Sequence, residues 1–101
     1  MTISADKSTG KITRYFLQTA GGTLDPSIPA HAKKIADHLV TPKVVSALFA
    51  QGQAEAVMGL IESLPARAQN DILAAPAAFW GLIHNGQEER VKPLYVALNR
   101  H

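Results

Sequence analysis

The sequence predicts an all-α fold, a compact helical domain of about five to six short helices with two helix-pair repeats and an N-terminal capping piece. Three observations support this prediction. A stretch of 24 residues recurs 34 residues later, the chain is rich in alanine, and Pro and Gly are spaced as helix boundaries. Alanine is the strongest helix former. Pro favours the first position of a helix, and Gly favours the position just after its end.

The repeat relates residues 41–64 to residues 75–98. At this offset Pro42 aligns with Pro76 and Gly52 aligns with Gly86, so both units predict one helix from Pro to Gly and a second helix after Gly. The other matching positions face a predicted core or follow the Gly. They are Leu48 with Leu82, Gln53 with Gln87, Glu55 with Glu89, Val57 with Val91, Leu60 with Leu94, and Leu64 with Leu98.

The N-terminal part is harder to assign. Residues 1–10 are polar and are expected to be loose. Residues 11–20 form either a helix with Ile12, Tyr15 and Phe16 on one face, or a strand, because the same residues have high β propensity. We favour the helix, since Gly21-Gly22 stands where a helix end needs it and no partner strand is obvious. Residues 21–29 are a turn-rich connector.

In the rest of the chain, predicted helices alternate with residues that end a helix. Residues 30–40 have an amphipathic pattern, Thr41 is a candidate N-cap, and residues 66–74 suggest a short helix. Pro93 lies inside the last predicted helix, 87–99, and aligns with Gly59, which indicates a bend or a close helix–helix approach in both units. The predicted division is a cap and connector over 1–29, a first helical unit over 30–64 and a second over 65–101.

Length and composition restrict the function. A chain of 101 residues is one domain, and without Cys it has no disulfide framework and no thiolate metal site. No apolar run approaches the ~20 residues of a membrane span, so we expect no membrane partner. The N-terminus has no apolar segment typical of a secretion signal. We therefore expect a cytoplasmic protein, although secretion by a dedicated machine stays open.

No constellation of side chains predicts catalysis. The chain has four histidines, and His31 and His38 stand seven apart, whereas zinc ligands on one helix usually stand three or four apart. Glu88 and Glu89 fall in a first helical turn, where acids favour the helix dipole. We therefore expect no enzyme, no metal and no cofactor.

A family resemblance follows from the second half of each unit. Residues 52–61, GQAEAVMGLI, and 86–95, GQEERVKPLY, resemble the Gly-His-x-Glu-Val-Val-x-x-Leu-Leu pattern of ankyrin repeats, and Thr41-Pro42 resembles their opening Thr-Pro. The first helix is longer than in that family, and the Leu-His and Gly-Ala-Asp motifs are missing. The units are similar to ankyrin-like or generic α-solenoid repeats, and this implies a protein-binding scaffold with a groove formed by first helices and loops.

Trp80 is the most distinctive candidate for a binding site. It aligns with Ser46, which is not a core position, so it is either an interface anchor or a core residue beside Phe79. The simplest interpretation of four helix cations is that they are solvated charges; these are Lys43, Arg67, Arg90 and Lys92. The candidate partner-binding residues are Trp80, Lys43, His84, Arg67, Lys33 and Lys34.

These observations favour a non-enzymatic protein–protein interaction module, such as a small inhibitor or adaptor that occupies a surface of a larger partner protein. A phage or mobile-element inhibitor and a secreted effector are both plausible settings. The alternative is a nucleic-acid-associated regulator that uses the basic N-terminal half. Nucleic acid is not favoured, because the net charge is only +2. A homodimer also stays open, since no following repeat covers the last unit.

Overall fold

The chain begins with a small antiparallel sheet. The computed structural model describes residues 2–5 and 15–98. Its strands are β1 (Thr2–Ala5), β2 (Tyr15–Thr19) and β3 (Gly22–Leu24), in the order β1-β2-β3. The helix favoured for residues 11–20 is therefore wrong over 15–19, and residues 11–14 lie outside the described residues. The expected loose N-terminus is a strand over 2–5.

Side-chain alternation and a tight turn explain the strand. Tyr15 and Leu17 point into the core while Gln18 is exposed, which is the period of two that a half-buried strand requires. The Gly pair does not end a helix. It closes a hairpin in which Thr19 pairs with Gly22, whose φ of 127° favours glycine. The strands that pair with β2 have four and three residues, too short to show a pattern in the sequence.

The helical prediction is confirmed for the rest of the chain. Within the described residues six helices follow the sheet, and each falls within two residues of a predicted segment at its start. They are α1 (Pro29–Leu39), α2 (Pro42–Ala50), α3 (Ala54–Glu62), α4 (Ala66–Leu73), α5 (Pro76–His84) and α6 (Glu88–Leu98).

The two halves have matching local geometry at the helix ends. Gly52 and Gly86 have φ values of 75° and 84°, in the left-handed region that ends a helix. After each Gly, the glutamine N–H donates a hydrogen bond back to a leucine carbonyl. The N···O distances are 3.0 Å from Gln53 to Leu48 and 2.9 Å from Gln87 to Leu82. Pro and Gly therefore set the same turn twice.

Helix α3 lies at the centre of the core. Helix α1 packs beside α4 and α2 beside α5, while the sheet covers α3. The close approach predicted at Gly59 is real, but its partner is a strand rather than a helix, because the ring of Tyr15 on β2 lies directly over Gly59. Its counterpart Pro93 lies within α6, which continues as a helix on both sides of it.

Candidate protein-binding surfaces

Helices α5 and α6 present a cluster of aromatic side chains, which we call the aromatic patch and define as Phe79, Trp80, His84 and Tyr95. Phe79 lies between its neighbours, with ring centroids 5.2 Å from Trp80 and 5.0 Å from Tyr95. The rings of Trp80 and His84, one helical turn apart, are 6.3 Å apart. Edge and tilted contacts at these distances are favourable for aromatic pairs, so the four rings are held as a group.

The aromatic patch is open to solvent. Trp80 is 55% exposed and Tyr95 is 45% exposed, which decides the open question about Trp80: it lies on the surface, and Phe79 is half-buried beside it. Two of the six predicted site residues, Trp80 and His84, therefore lie together here.

Two of the four patch positions are covered in the first half of the chain, whereas Ser46 and Ala50, which align with Trp80 and His84, are exposed. Ile61, which aligns with Tyr95, is fully buried, and Val45, which aligns with Phe79, is 1% exposed. For the second helix of each unit the packing differs, because strands β1 and β2 pack on α3 whereas α6 packs on α4 and α5. The α6 side of the aromatic patch, at Tyr95, thus lacks the cover that the sheet gives to α3 in the first half.

A second candidate surface is the groove between α1 and α4, which we call the α1–α4 groove. Its volume is about 440 Å³. Three buried alanines line its floor, and Lys33, Arg67 and Asp71 line its sides. The floor alanines are Ala32, Ala36 and Ala68. Lys33 and Arg67, two further predicted site residues, are therefore brought together here by the packing of α1 against α4.

Charges in the α1–α4 groove follow the 34-residue offset. Lys33 aligns with Arg67, and Asp37 aligns with Asp71 one helical turn later. All four are exposed. Each helix thus displays a cation followed four residues later by an aspartate. The ion pairs found among the described residues involve neither cation, since they join Arg90 to Glu62 and Lys92 to Glu88.

The remaining predicted site residues are dispersed. Lys34 is exposed on α1 and Lys43 is exposed in the first turn of α2. Within the described residues neither lines the α1–α4 groove nor belongs to the aromatic patch. Three of the cations that make the N-terminal half of the sequence basic lie outside the described residues; they are Lys7, Lys11 and Arg14.

A polar cluster that the sequence did not suggest joins α6 to α3. Arg90 on α6 pairs with Glu62 on α3, and also donates to Gln87 at 3.2 Å. The hydrogen bond to Glu62 raises the pKa of Arg90, and burial raises the pKa of the nearby Tyr15 phenol above its usual value. Arg90 is therefore not the solvated charge that was expected. The signal in the sequence was a departure from the repeat, because Arg90 aligns with Ala56 and Glu62 with Val96.

The three histidines among the described residues do not converge, and His101 lies outside those residues. The Nδ1 atom of His31 accepts a hydrogen bond from the backbone N–H of Asp25 at 3.1 Å, so His31 ties α1 to the connector. His84 belongs to the aromatic patch, and His38 is half-buried on α1. Over residues 2–5 and 15–98, no group of three or more His, Cys, Asp or Glu side chains is placed to hold a metal ion.

No family model, curated protein or solved structure matches this chain. The resemblance to ankyrin-like repeats therefore stays a prediction. Among the helices of the described residues, none has the length and apolar character needed to cross a membrane.

Proposed function

We propose that this protein is a non-enzymatic interaction module that occupies a surface of a larger protein partner through the aromatic patch, as a small inhibitor or adaptor. The observation that supports the proposal is the exposure of Trp80 and Tyr95, at 55% and 45%, in contact with a half-buried Phe79. Tryptophan and tyrosine are enriched among the residues that dominate binding energy at protein interfaces.

The arrangement of the rings in the aromatic patch suits a binding anchor for a protein partner. Trp80 and Tyr95 expose apolar ring faces, and Phe79 behind them restrains both, so little side-chain freedom is lost on binding. An exposed apolar cluster of this kind marks an interaction site more often than scattered surface hydrophobics do. The absence of cysteine fits a reducing compartment, and the proposal places the encounter in the cytoplasm.

The test compares two variants that each remove one exposed large side chain. Trp80→Ala removes the centre of the aromatic patch, and Ile28→Ala removes a residue that is 42% exposed ahead of α1. Both variants should keep the helical circular dichroism of the parent. A photo-crosslinking amino acid at His84 identifies bound proteins in cells, and we expect Trp80→Ala, but not Ile28→Ala, to abolish the specific crosslinks.

Light scattering with Trp80 fluorescence on the same samples separates the alternatives. A monomer with red-shifted emission agrees with an exposed patch that awaits a different protein. A dimer with blue-shifted emission, dissociated by Trp80→Ala, would assign the aromatic patch to a second copy and contradict the proposal. Crosslinks that survive Trp80→Ala unchanged would also contradict it. Steeply salt-dependent binding of nucleic acid by the parent, unaffected by Trp80→Ala, would favour the nucleic-acid alternative.

A further inference from the structure

We propose that the α1–α4 groove receives an extended acidic segment of a protein partner. The inference rests on the proposed function, because it treats the α1–α4 groove as part of a protein-binding surface. It adds the chemistry of the segment that binds there, and it involves different residues from the aromatic patch.

The charges argue for carboxylates opposite Lys33 and Arg67. These cations line one groove from two adjacent helices, and the ion pairs among the described residues leave both without a carboxylate partner. Lys33 and Arg67 stand on two helices that pack against each other, and the axes of packed helices lie about 8–10 Å apart. A ligand with two acidic groups at a similar spacing engages both.

The small residues on the floor of the α1–α4 groove favour an extended peptide segment over a bulky one. Ala32, Ala36 and Ala68 are small and buried, so a backbone with small side chains can lie close against them. A polyproline II chain rises about 3.1 Å per residue with three residues per turn. Acidic residues at every third position of such a chain share one face and stand about 9 Å apart, which is close to the usual distance between the axes of packed helices.

The aspartates argue against nucleic acid. Asp71 lines the α1–α4 groove, and its counterpart Asp37 is exposed one turn beyond Lys33. A continuous phosphate backbone that followed the groove would meet these carboxylates as well as the cations. A peptide with separated carboxylates meets Lys33 and Arg67 while its uncharged positions lie near the aspartates. The mixture of signs therefore selects a spaced acidic pattern.

The experiment is a titration of the full chain with a synthetic peptide of Glu-Pro-Ala repeats, followed by amide correlation spectra. The matched control is the same peptide with Gln in place of Glu. We expect shifts confined to α1 and α4, and about tenfold weaker binding for the Lys33→Gln, Arg67→Gln double variant, because that variant loses two surface ion pairs with the peptide. Lys34→Gln, which removes a cation outside the groove lining, and Trp80→Ala should bind as the parent does.

Each of the following outcomes would contradict the inference, for a different reason in each case. If the Gln peptide bound as tightly as the Glu peptide, the negative charges of the peptide would play no part in binding. Tighter binding of single-stranded DNA at the same amides would assign the α1–α4 groove to nucleic acid. Shifts on α5 and α6 that Trp80→Ala abolishes would place the peptide on the aromatic patch, so that the groove inference fails while the proposed function stands. No shifts at millimolar peptide would also overturn the inference, and would leave the aromatic patch to its own test.

Discussion

Replacing Gly59 with alanine is expected to destabilise the protein although it improves helix propensity. A Cβ atom at Gly59 would lie 2.1 Å from Cε2, 2.4 Å from Cζ and 2.6 Å from Cδ2 of the Tyr15 ring. Non-bonded carbon atoms prefer a separation of about 3.5–4.0 Å. The ring therefore has to move by more than an ångström, and it is 8% exposed on the central strand of the sheet.

The magnitude follows from two opposing effects. Overpacking of a well-packed core costs about 1–3 kcal/mol. Alanine in a helix interior is favoured over glycine by about 0.8–1.0 kcal/mol. Because the ring has to move by more than an ångström, we take the upper part of the overpacking range, about 2–3 kcal/mol. The free energy of unfolding should therefore fall by about 1–2 kcal/mol, which for a domain of this size lowers Tm by roughly 4–16 °C.

Gly81→Ala is the matched control. Its Cβ would also lie 2.1 Å from a ring, that of Phe49, but this side chain is half-buried and can turn toward solvent. We expect its effect to stay within about 1 kcal/mol of zero, because the helix propensity gain offsets the adjustment of the ring. Urea unfolding monitored by circular dichroism measures both variants.

The Tyr15→Leu background tests the mechanism. With the ring removed, Gly59→Ala should cost at least about 1 kcal/mol less than it costs in the parent, since contacting residues show coupling of this size. The reasoning is refuted if Gly59→Ala leaves the protein as stable as the parent. It is also refuted if the cost of the substitution is the same with and without the Tyr15 ring.

Two further predictions concern the same region and the last helix. Burial raises the pKa of Tyr15 above its ordinary value of 10.0, Arg90 opposes that shift, and Glu55 and Glu62 add to it. The contribution of the protonated Tyr15 phenol to the stability of the fold is therefore complete below about pH 10. It is lost as the pH rises through the folded-state pKa of Tyr15. Tyr15→Phe should flatten the alkaline pH dependence of urea unfolding, and an unchanged slope would contradict the assignment. Pro93→Ala should raise the free energy of unfolding by about 2 kcal/mol, because Pro93 is exposed inside α6 and has no N–H to donate. Thermal unfolding measures the change in stability. A lower Tm for the variant would contradict the prediction and would show that the proline shapes a necessary bend.

The helix boundaries were predictable because their signals are local. Pro42 and Pro76 begin α2 and α5, and a positive φ at Gly52 and Gly86 follows each helix. Proline and glycine act through their own backbone geometry, so their effect is the same wherever the element packs. The strand β2 was missed for the opposite reason. Its residues suit either conformation, and the strands on each side of it decide between them.

The candidate sites were predictable only in part. The sequence singled out Trp80 and the cations Lys33 and Arg67, but it left the exposure of Trp80 open. It grouped the cations with Lys34 and Lys43, which the structure places elsewhere. The 34-residue offset aligned Lys33 with Arg67, yet alignment in a repeat does not by itself bring two positions together.

The sequence by itself determined where helices α1 to α6 begin and end and which faces they bury, because these depend on propensity and periodicity within a few residues. Only the tertiary structure decided three further features. The ring of Tyr15 lies over Gly59, α6 lacks the cover that the sheet provides to α3, and α1 lies against α4 to form the groove with Lys33 and Arg67. Each depends on which elements pack together across long stretches of chain, and burial is a property of that packing rather than of any local pattern.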